Sequence, residues 1–136
     1  MKKSLAVLVI LIIAMVSACN AAMAAQNPNS IQSDPVFSSV TITLSTYKSA
    51  AYSADTNEIV GYIKVVSCWL QKKVDGQWVF DRLLPVPNTV SYNTIGYESY
   101  MNYSSYIPSD GNTYRIGARF VADGHYVTRY SNQRTF

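Results

Sequence analysis

Apolar and polar residues alternate one for one along much of this chain, and no stretch holds the 3.6-residue period of an amphipathic helix. The clearest examples are residues 40–45, where Val40, Ile42 and Leu44 alternate with threonine and serine, and residues 114–121. Successive side chains of a β-strand point to opposite faces of its sheet, so this alternation buries one face of each strand. The pattern predicts an all-β protein.

Turn signals separate the alternating segments. Asp75-Gly76 and Asp123-Gly124 are strong hairpin signals, because tight hairpin turns favour residues that accept a positive φ, and Asp110-Gly111 marks a further turn. With turns about every 8–15 residues, the sequence predicts about seven strands packed as an antiparallel β-sandwich.

Residues 50–73 are predicted to form two strands. The even-numbered residues of 50–54 share one side of a short first strand, and Asp55-Thr56-Asn57 is interpreted as a turn. In the second strand, residues 59–73, strict alternation places Val66, Cys68 and Leu70 on one face and the odd-numbered residues on the other.

Two features favour an immunoglobulin-like (Ig-like) form of the sandwich. Asp110, Tyr114 and Ile116 have the spacing of the D-x-x-x-Y-x-C segment before strand F, with Ile116 in the cysteine position. A tyrosine there folds its hydroxyl back onto the preceding loop, the tyrosine corner. Trp69 corresponds to the tryptophan of strand C. The predicted fold is therefore an Ig-like antiparallel β-sandwich.

The first residues have the order of a bacterial secretory signal. Two lysines are followed by an apolar run over residues 5–16, and then by small residues that end in Ala22-Met23-Ala24. We predict a signal peptide over residues 1–24, a flexible lead-in over residues 25–35 and one β domain over residues 36–136. The protein is then secreted, and it acts outside the cytoplasm.

A second way of processing the leader stays open. Val16-Ser17-Ala18-Cys19 also reads as a permissive lipobox, in which Cys19 is lipidated and the protein stays on the outer face of the membrane. We favour free secretion, because the lipobox usually prefers leucine where this chain has Val16. In either case Cys68 has no partner for an internal disulfide, and we expect it to be a small buried hydrophobe.

Two segments resemble a known but uncharacterised family of small secreted proteins from Gram-positive, largely gut-dwelling bacteria. They are L-Q-K-K-V-D-G-Q-W-V, residues 70–79, and T-Y-R-I-G-A-R-F, residues 113–120. The resemblance covers residues 40–136, and it implies a signal peptide and one Ig-like domain. The family carries no known activity, so it assigns no functional residues. Asn112, where glycine is usual, and the tyrosine-rich residues 92–106 depart from its pattern.

Charge and chemistry argue against several function classes. The formal net charge is +3, and loss of Lys2 and Lys3 with the leader lowers it to +1. Such a domain lacks the basic face that nucleic acids require. His125 is the only histidine, so we expect no metal site, no cofactor and no catalytic residues. A hydrolase would require Asp81 and Glu98 to line one cleft.

Tyrosine is the more informative residue type. Four tyrosines recur every third residue, which fits neither strand alternation nor a helical stripe, so some of them must be exposed. Exposed tyrosine supplies rigid contact area and a hydroxyl for hydrogen bonds. The candidate binding residues are these four and the tryptophan of the predicted strand C: Tyr97, Tyr100, Tyr103, Tyr106 and Trp69.

These observations predict a monomeric, non-enzymatic binding module, secreted or on the cell surface. The expected partner is a glycan, a cell-wall polymer or a surface protein, with membrane contact only if Cys19 is lipidated. The alternative is a secreted, bacteriocin-like antagonist of competing cells. Arg115, Arg119 and Arg129 are expected to line one outward sheet face, where a solvated surface is favoured over a binding patch for cell-wall phosphates or carboxylates.

Overall fold

The computed structural model describes residues 34–136. The predicted signal peptide, the lipidation alternative at Cys19 and most of the lead-in lie outside the described residues. Within residues 34–136 every regular element is a β-strand, and no helix there is long and apolar enough to cross a membrane. The prediction of an all-β, antiparallel domain is confirmed.

Seven strands make up the domain, and all their pairings are antiparallel. They are β1 (Phe37–Leu44), β2 (Ser49–Val74), β3 (Gln77–Leu84), β4 (Val90–Asn102), β5 (Thr113–Ala122), β6 (His125–Tyr130) and β7 (Arg134–Thr135). Asp75-Gly76 and Asp123-Gly124 form the predicted hairpin turns, with positive φ at both residues of each.

Strand β2 organises the sheet, because it pairs with four other strands. Its first part lies between β1 and β4, and its last part lies between β3 and β5. Strand β6 extends the sheet beyond β5, and β7 pairs with the start of β5. At 26 residues, β2 is far longer than the roughly 5–6 residues of an ordinary strand.

The predicted turn at Asp55-Thr56-Asn57 is wrong, since the chain continues through it as β2. The pairing with β4 shifts here from Asp55 opposite Gly96 to Val60 opposite Thr94. Local hydrogen bonds satisfy the polar groups without a chain reversal: the Thr56 hydroxyl donates to the Glu58 carbonyl at 2.7 Å. Residues that favour turns are therefore absorbed as an irregularity of one strand.

A second irregularity corrects the predicted faces of the long strand. The pairing of β2 with β5 shifts between Val65 and Ser67. Val65 is buried with Cys68 and Leu70, whereas Val66, which alternation placed in the core, is 37% exposed. A bulge inserts an extra residue and exchanges the faces of the residues before it.

The sheet curls so that the two parts of β2 share one core. The ring of Tyr52, in the first part, lies 6.3 Å from the ring of Phe120 on β5, between centroids. The ring of Tyr97 on β4 meets Phe120 edge-on at 6.2 Å. Asn132, which follows β6, exchanges two hydrogen bonds with the backbone of Leu44 at the end of β1, at 2.8 and 3.0 Å. This contact brings the far ends of the sheet together.

Candidate binding surface

The five candidate binding residues do not form one surface. Tyr97 and Tyr103 are 2% and 0% exposed, so they belong to the core and are closed to a ligand. Tyr100 is 76% exposed because it points away from the core on β4, and Tyr106 is 40% exposed in the turn that follows. Trp69 lies on β2, on another part of the sheet. The expectation that only some of the rings enter the core is confirmed.

The buried tyrosines take part in a directed chain of hydrogen bonds. Tyr103 donates its hydroxyl proton to the Pro85 carbonyl at 2.9 Å, because a carbonyl can only accept. Its oxygen therefore accepts from the Tyr52 hydroxyl at 2.7 Å, and Tyr52 in turn accepts from the Cys68 thiol at 3.5 Å. Burial raises the pKa of all three groups. Cys68 is buried as predicted, and it is neutral and hydrogen-bonded.

Tyr114 folds its hydroxyl back onto the preceding loop, as expected, and its hydrogen-bond acceptor there is a carboxylate. The Tyr114 hydroxyl donates to Asp110 Oδ2 at 2.8 Å, and the Asn112 backbone N–H donates to Asp110 Oδ1 at 3.0 Å. Hydrogen bonds from Asn112 and then from Tyr114 lower the pKa of Asp110 to about 2. This contact joins the loop before β5 to the buried start of that strand.

The other face of the last part of the sheet carries a cluster of aromatic and cationic side chains. Residues paired across strands share a face, and the pairing places Trp69, Gly117 and Tyr130 in one row across β2, β5 and β6. The next row joins Phe80, Gln71 and Arg115. We call this surface the outer aromatic face; it comprises Trp69, Trp78, Phe80, Arg115, Arg119, Tyr126 and Tyr130.

Gly117 makes room for the central tryptophan of this face. A methyl group at position 117 would overlap the indole of Trp69, so the ring lies directly on the glycine backbone. Tyr130 meets Trp69 edge-on, with 6.0 Å between ring centroids. The glycine thus holds Trp69 flat against the sheet, half-buried and in one orientation.

Arg115 lies between two aromatic rings of the same face. Its guanidinium carbon is 4.4 Å from the ring centroid of Trp78 and 4.1 Å from that of Tyr130. Its Nε donates to Gln71 Oε1 at 2.7 Å. The residue is 8% exposed, and this burial lowers the pKa of the guanidinium. Cation–π contacts of this kind contribute about 0.5–2 kcal/mol each.

A second pair continues the pattern toward the end of β5. The Arg119 guanidinium carbon lies 4.3 Å from the ring centroid of Tyr126, and both residues are exposed. Val121, on the same side of β5, is 1% exposed although it lies outside the main core cluster. Cationic and aromatic side chains therefore cover the outer face of β5, where a sandwich would place solvent.

The expected arginine row is only partly correct. Arg115 and Arg119 share the outer face, but Arg129 pairs with the buried Ala118 and lies on the other side of the sheet. Arg115 is also buried between rings, whereas a solvated position was expected. Sequence reasoning missed Trp78 and Phe80, and it named Arg115 only as an outward residue for which a solvated position was favoured over binding. The sequence carries one local signal, Arg-x-Gly-x-Arg on β5, whereas the position of Gly117 opposite Trp69 is known only from the strand pairing.

The remaining candidates for chemistry lie apart. Asp81 on β3 forms an ion pair with Arg82, whereas Glu98 on β4 pairs with Ser53 in the first part of β2. His125 is exposed at the start of β6. Among residues 34–136, no three histidine, cysteine or acidic side chains gather where they could hold a metal ion.

No protein-family model matches the chain, and neither a curated protein nor a solved structure matches it significantly.

Proposed function

We propose that this protein is an exported, non-enzymatic binding module whose outer aromatic face binds a glycan chain of the bacterial cell wall. The N-terminal sequence supports export. The observation that carries the binding proposal is the row of rings on β3, β2 and β6, held in place by Gly117 and Arg115 at its centre. The tyrosine corner at Tyr114 supports an Ig-like relationship of the curled sheet.

The chemistry of this face suits sugar rings. Aromatic side chains offer a flat apolar surface with a defined orientation, and polar groups beside them fix a ligand by hydrogen bonds. Trp69, Trp78 and Tyr130 are partly exposed, and Phe80 on the edge strand β3 is 58% exposed. Large exposed apolar patches on a soluble domain mark interaction sites. A sugar chain has a C–H face for the rings and hydroxyls for the polar groups.

The test is depletion of the purified protein by insoluble cell-wall fractions and a panel of polysaccharides. We expect saturable binding to one polymer, competed by its soluble fragments. Trp78→Ala should weaken binding about tenfold or more, since binding energy concentrates in a few buried aromatic and arginine side chains. Tyr100→Ala is the matched control, because Tyr100 is exposed on β4, away from this face.

The outcomes separate the two aromatic regions. Loss of binding with Tyr100→Ala and not with Trp78→Ala would return the site to the tyrosine-rich segment and overturn the proposed surface. Depletion by no wall fraction and no polysaccharide would overturn the glycan proposal, and the antagonist alternative would then be tested by growth inhibition of neighbouring strains.

A further inference from the structure

We propose that Arg115 binds a carboxylate group of the ligand. The polymer bound by the outer aromatic face is then an acidic polysaccharide that carries uronic-acid-type sugars. This inference rests on the proposed function, and it adds the chemical class of the ligand.

Arg115 has donors without acceptors. A guanidinium has five N–H groups, and the described residues give Arg115 one hydrogen bond, from Nε to Gln71. No side-chain nitrogen or oxygen that is fully buried in residues 34–136 lacks a partner. The two Nη groups are therefore not fully buried, although Arg115 as a whole is 8% exposed. They are the donors left for a ligand on the outer aromatic face.

The positive charge of Arg115 is not compensated either. The ion pairs among the described residues join Lys72 to Asp110 and Arg82 to Asp81, and neither involves Arg115. Charged groups that are nine-tenths buried are normally paired, because removing a charge from water is unfavourable. The rings of Trp78 and Tyr130 supply part of the missing stabilisation. An anion on the Nη groups would supply the rest.

The side chains around Arg115 add positive charge, which favours an anionic ligand. Arg119 on Tyr126 and Lys73 on Trp78 bring two more cations to the same side of the sheet, with ring distances of 4.3 and 5.6 Å. The paired residues that form this face include no aspartate or glutamate, and Asp81, the unpaired residue of β3 beside Phe80, is in an ion pair with Arg82. A domain of nearly balanced charge has thus gathered cations here, so the face is complementary to an acidic chain.

The geometry of Arg115 favours a carboxylate in particular. Because Nε is bonded to Gln71, the two Nη groups remain, and their parallel N–H groups match the two oxygens of a carboxylate. A sugar ring bearing such a group would contact Trp69 or Tyr130, 6.0 Å from each other, through its C–H face. One acidic sugar would then contact both the guanidinium of Arg115 and an aromatic ring beside it.

The experiment compares polygalacturonate with its methyl-esterified form, which has the same backbone without the charge. At 150 mM salt, we expect the purified protein to bind polygalacturonate at least tenfold more tightly than the ester. Arg115→Lys keeps the positive charge but removes the parallel N–H groups of the guanidinium. It should therefore abolish most of the preference for polygalacturonate over its ester. Arg129→Lys, on the opposite side of β6, is the matched control and should keep it.

Each contrary binding result would overturn a different part of the proposal. Equal binding of the two polymers would overturn carboxylate recognition and leave the proposed glycan-binding face standing. A preference that survives Arg115→Lys would overturn the role of Arg115. Binding of poly(glycerol phosphate) as tight as that of polygalacturonate would show a phosphate reader instead. Absence of binding to polygalacturonate would overturn this inference, whereas the proposed function is judged separately by Trp78→Ala and wall depletion.

A second measurement does not depend on a variant that folds. Titration of the unmodified protein with galacturonic acid should shift the Arg115 Nε–H resonance in NMR spectra, while galactose at the same concentration should not. A shift of the Arg129 resonance alone would overturn the assignment to Arg115.

Discussion

Strand β5 is largely buried on both faces, with Arg119 exposed on the outer one, and it uses different side chains on each face. On the inner face Tyr114, Ile116, Ala118 and Phe120 are covered by apolar residues of the curled sheet. On the outer face Arg115 is covered by the rings of Trp78 and Tyr130, although it is a cation. The inner face follows from the hydrophobic effect alone. The outer face retains rings and open donors at its surface, as a binding surface requires.

The largest effect on the free energy of unfolding is expected in the core, and a matched substitution on the outer face should have little effect. Phe120→Ala should lower the free energy of unfolding by about 3–5 kcal/mol, because it opens a cavity under Tyr52 and Tyr97. Phe80→Ala, on the outer face and 58% exposed, should change it by about 0.5 kcal/mol or less. Urea unfolding measures both. A comparable loss at Phe80 would mean that the outer face contributes to stability as the core does.

A smaller effect tests the packing of the outer face itself. Gly117→Ala places a methyl group against Trp69, and such overpacking costs about 1–3 kcal/mol. Trp69 must move toward solvent, so tryptophan fluorescence should shift to longer wavelength. Gly96→Ala is the matched control on β4, where the nearest atom to the new methyl group is 3.4 Å away and ordinary contact follows. Unchanged fluorescence in Gly117→Ala would contradict the packing of Trp69 on the glycine.

The inner face could be predicted from the sequence, whereas the outer face could not. Alternation in residues 114–121 identifies Ile116 and Phe120 as core residues, because the position of a residue along a strand decides the face to which it points. The position of Arg115 depends on Trp78 and Tyr130, which reach it through the pairing of four strands. Long-range register of this kind leaves no local pattern. The candidate tyrosines fail to form a joint site for a different reason, which is local: Tyr97 and Tyr100 are three residues apart on β4, so alternation places them on opposite faces.

The two irregularities of β2 also lie beyond local patterns. A bulge next to Val66 exchanges faces without changing composition, and alternation read through it assigns the wrong valine to the core. Asp55-Thr56-Asn57 has the composition of a turn, yet β1 and β4 pair on either side of it and keep the strand extended. The hairpins at Asp75-Gly76 and Asp123-Gly124 could be predicted, because their geometry is local.

A third prediction concerns polar groups inside the core. Tyr52→Phe leaves the Cys68 thiol without its acceptor and Tyr103 without its donor, so it should cost about 1 kcal/mol. Tyr100→Phe, on the surface, should have no measurable effect. Because burial raises the pKa of Tyr52 and Tyr103, their contribution is present below the unfolded tyrosine pKa of about 10 and is lost as pH rises further. Urea unfolding at pH 7 and above pH 10 tests both statements.

The smallest effect on stability is expected at Asp110, an exposed residue that accepts a hydrogen bond from Tyr114 on the inner face of β5. Hydrogen bonds from Asn112 and Tyr114 lower the pKa of Asp110 from 3.8 to about 2. A lowered carboxyl pKa contributes stability that is present above pH 3.8 and is lost as pH falls toward 2. Asp110→Asn should therefore be less stable than the unmodified protein at pH 7, and the difference should shrink between pH 4 and pH 2.

The unfolding midpoint as a function of pH measures this difference, and Tyr114→Phe supplies the second side of a double-mutant cycle. Tyr114→Phe removes one hydrogen bond to the carboxylate and leaves the one from Asn112. It should therefore reduce the acid-dependent difference without abolishing it, and the double variant should resemble Asp110→Asn. A difference that stays constant from pH 7 to pH 2 would mean that Asp110 stabilises the loop by its shape and not by its charge. The tyrosine corner would then be a packing contact like the rest of the inner face, and the outer aromatic face would be the only side of β5 that depends on charge.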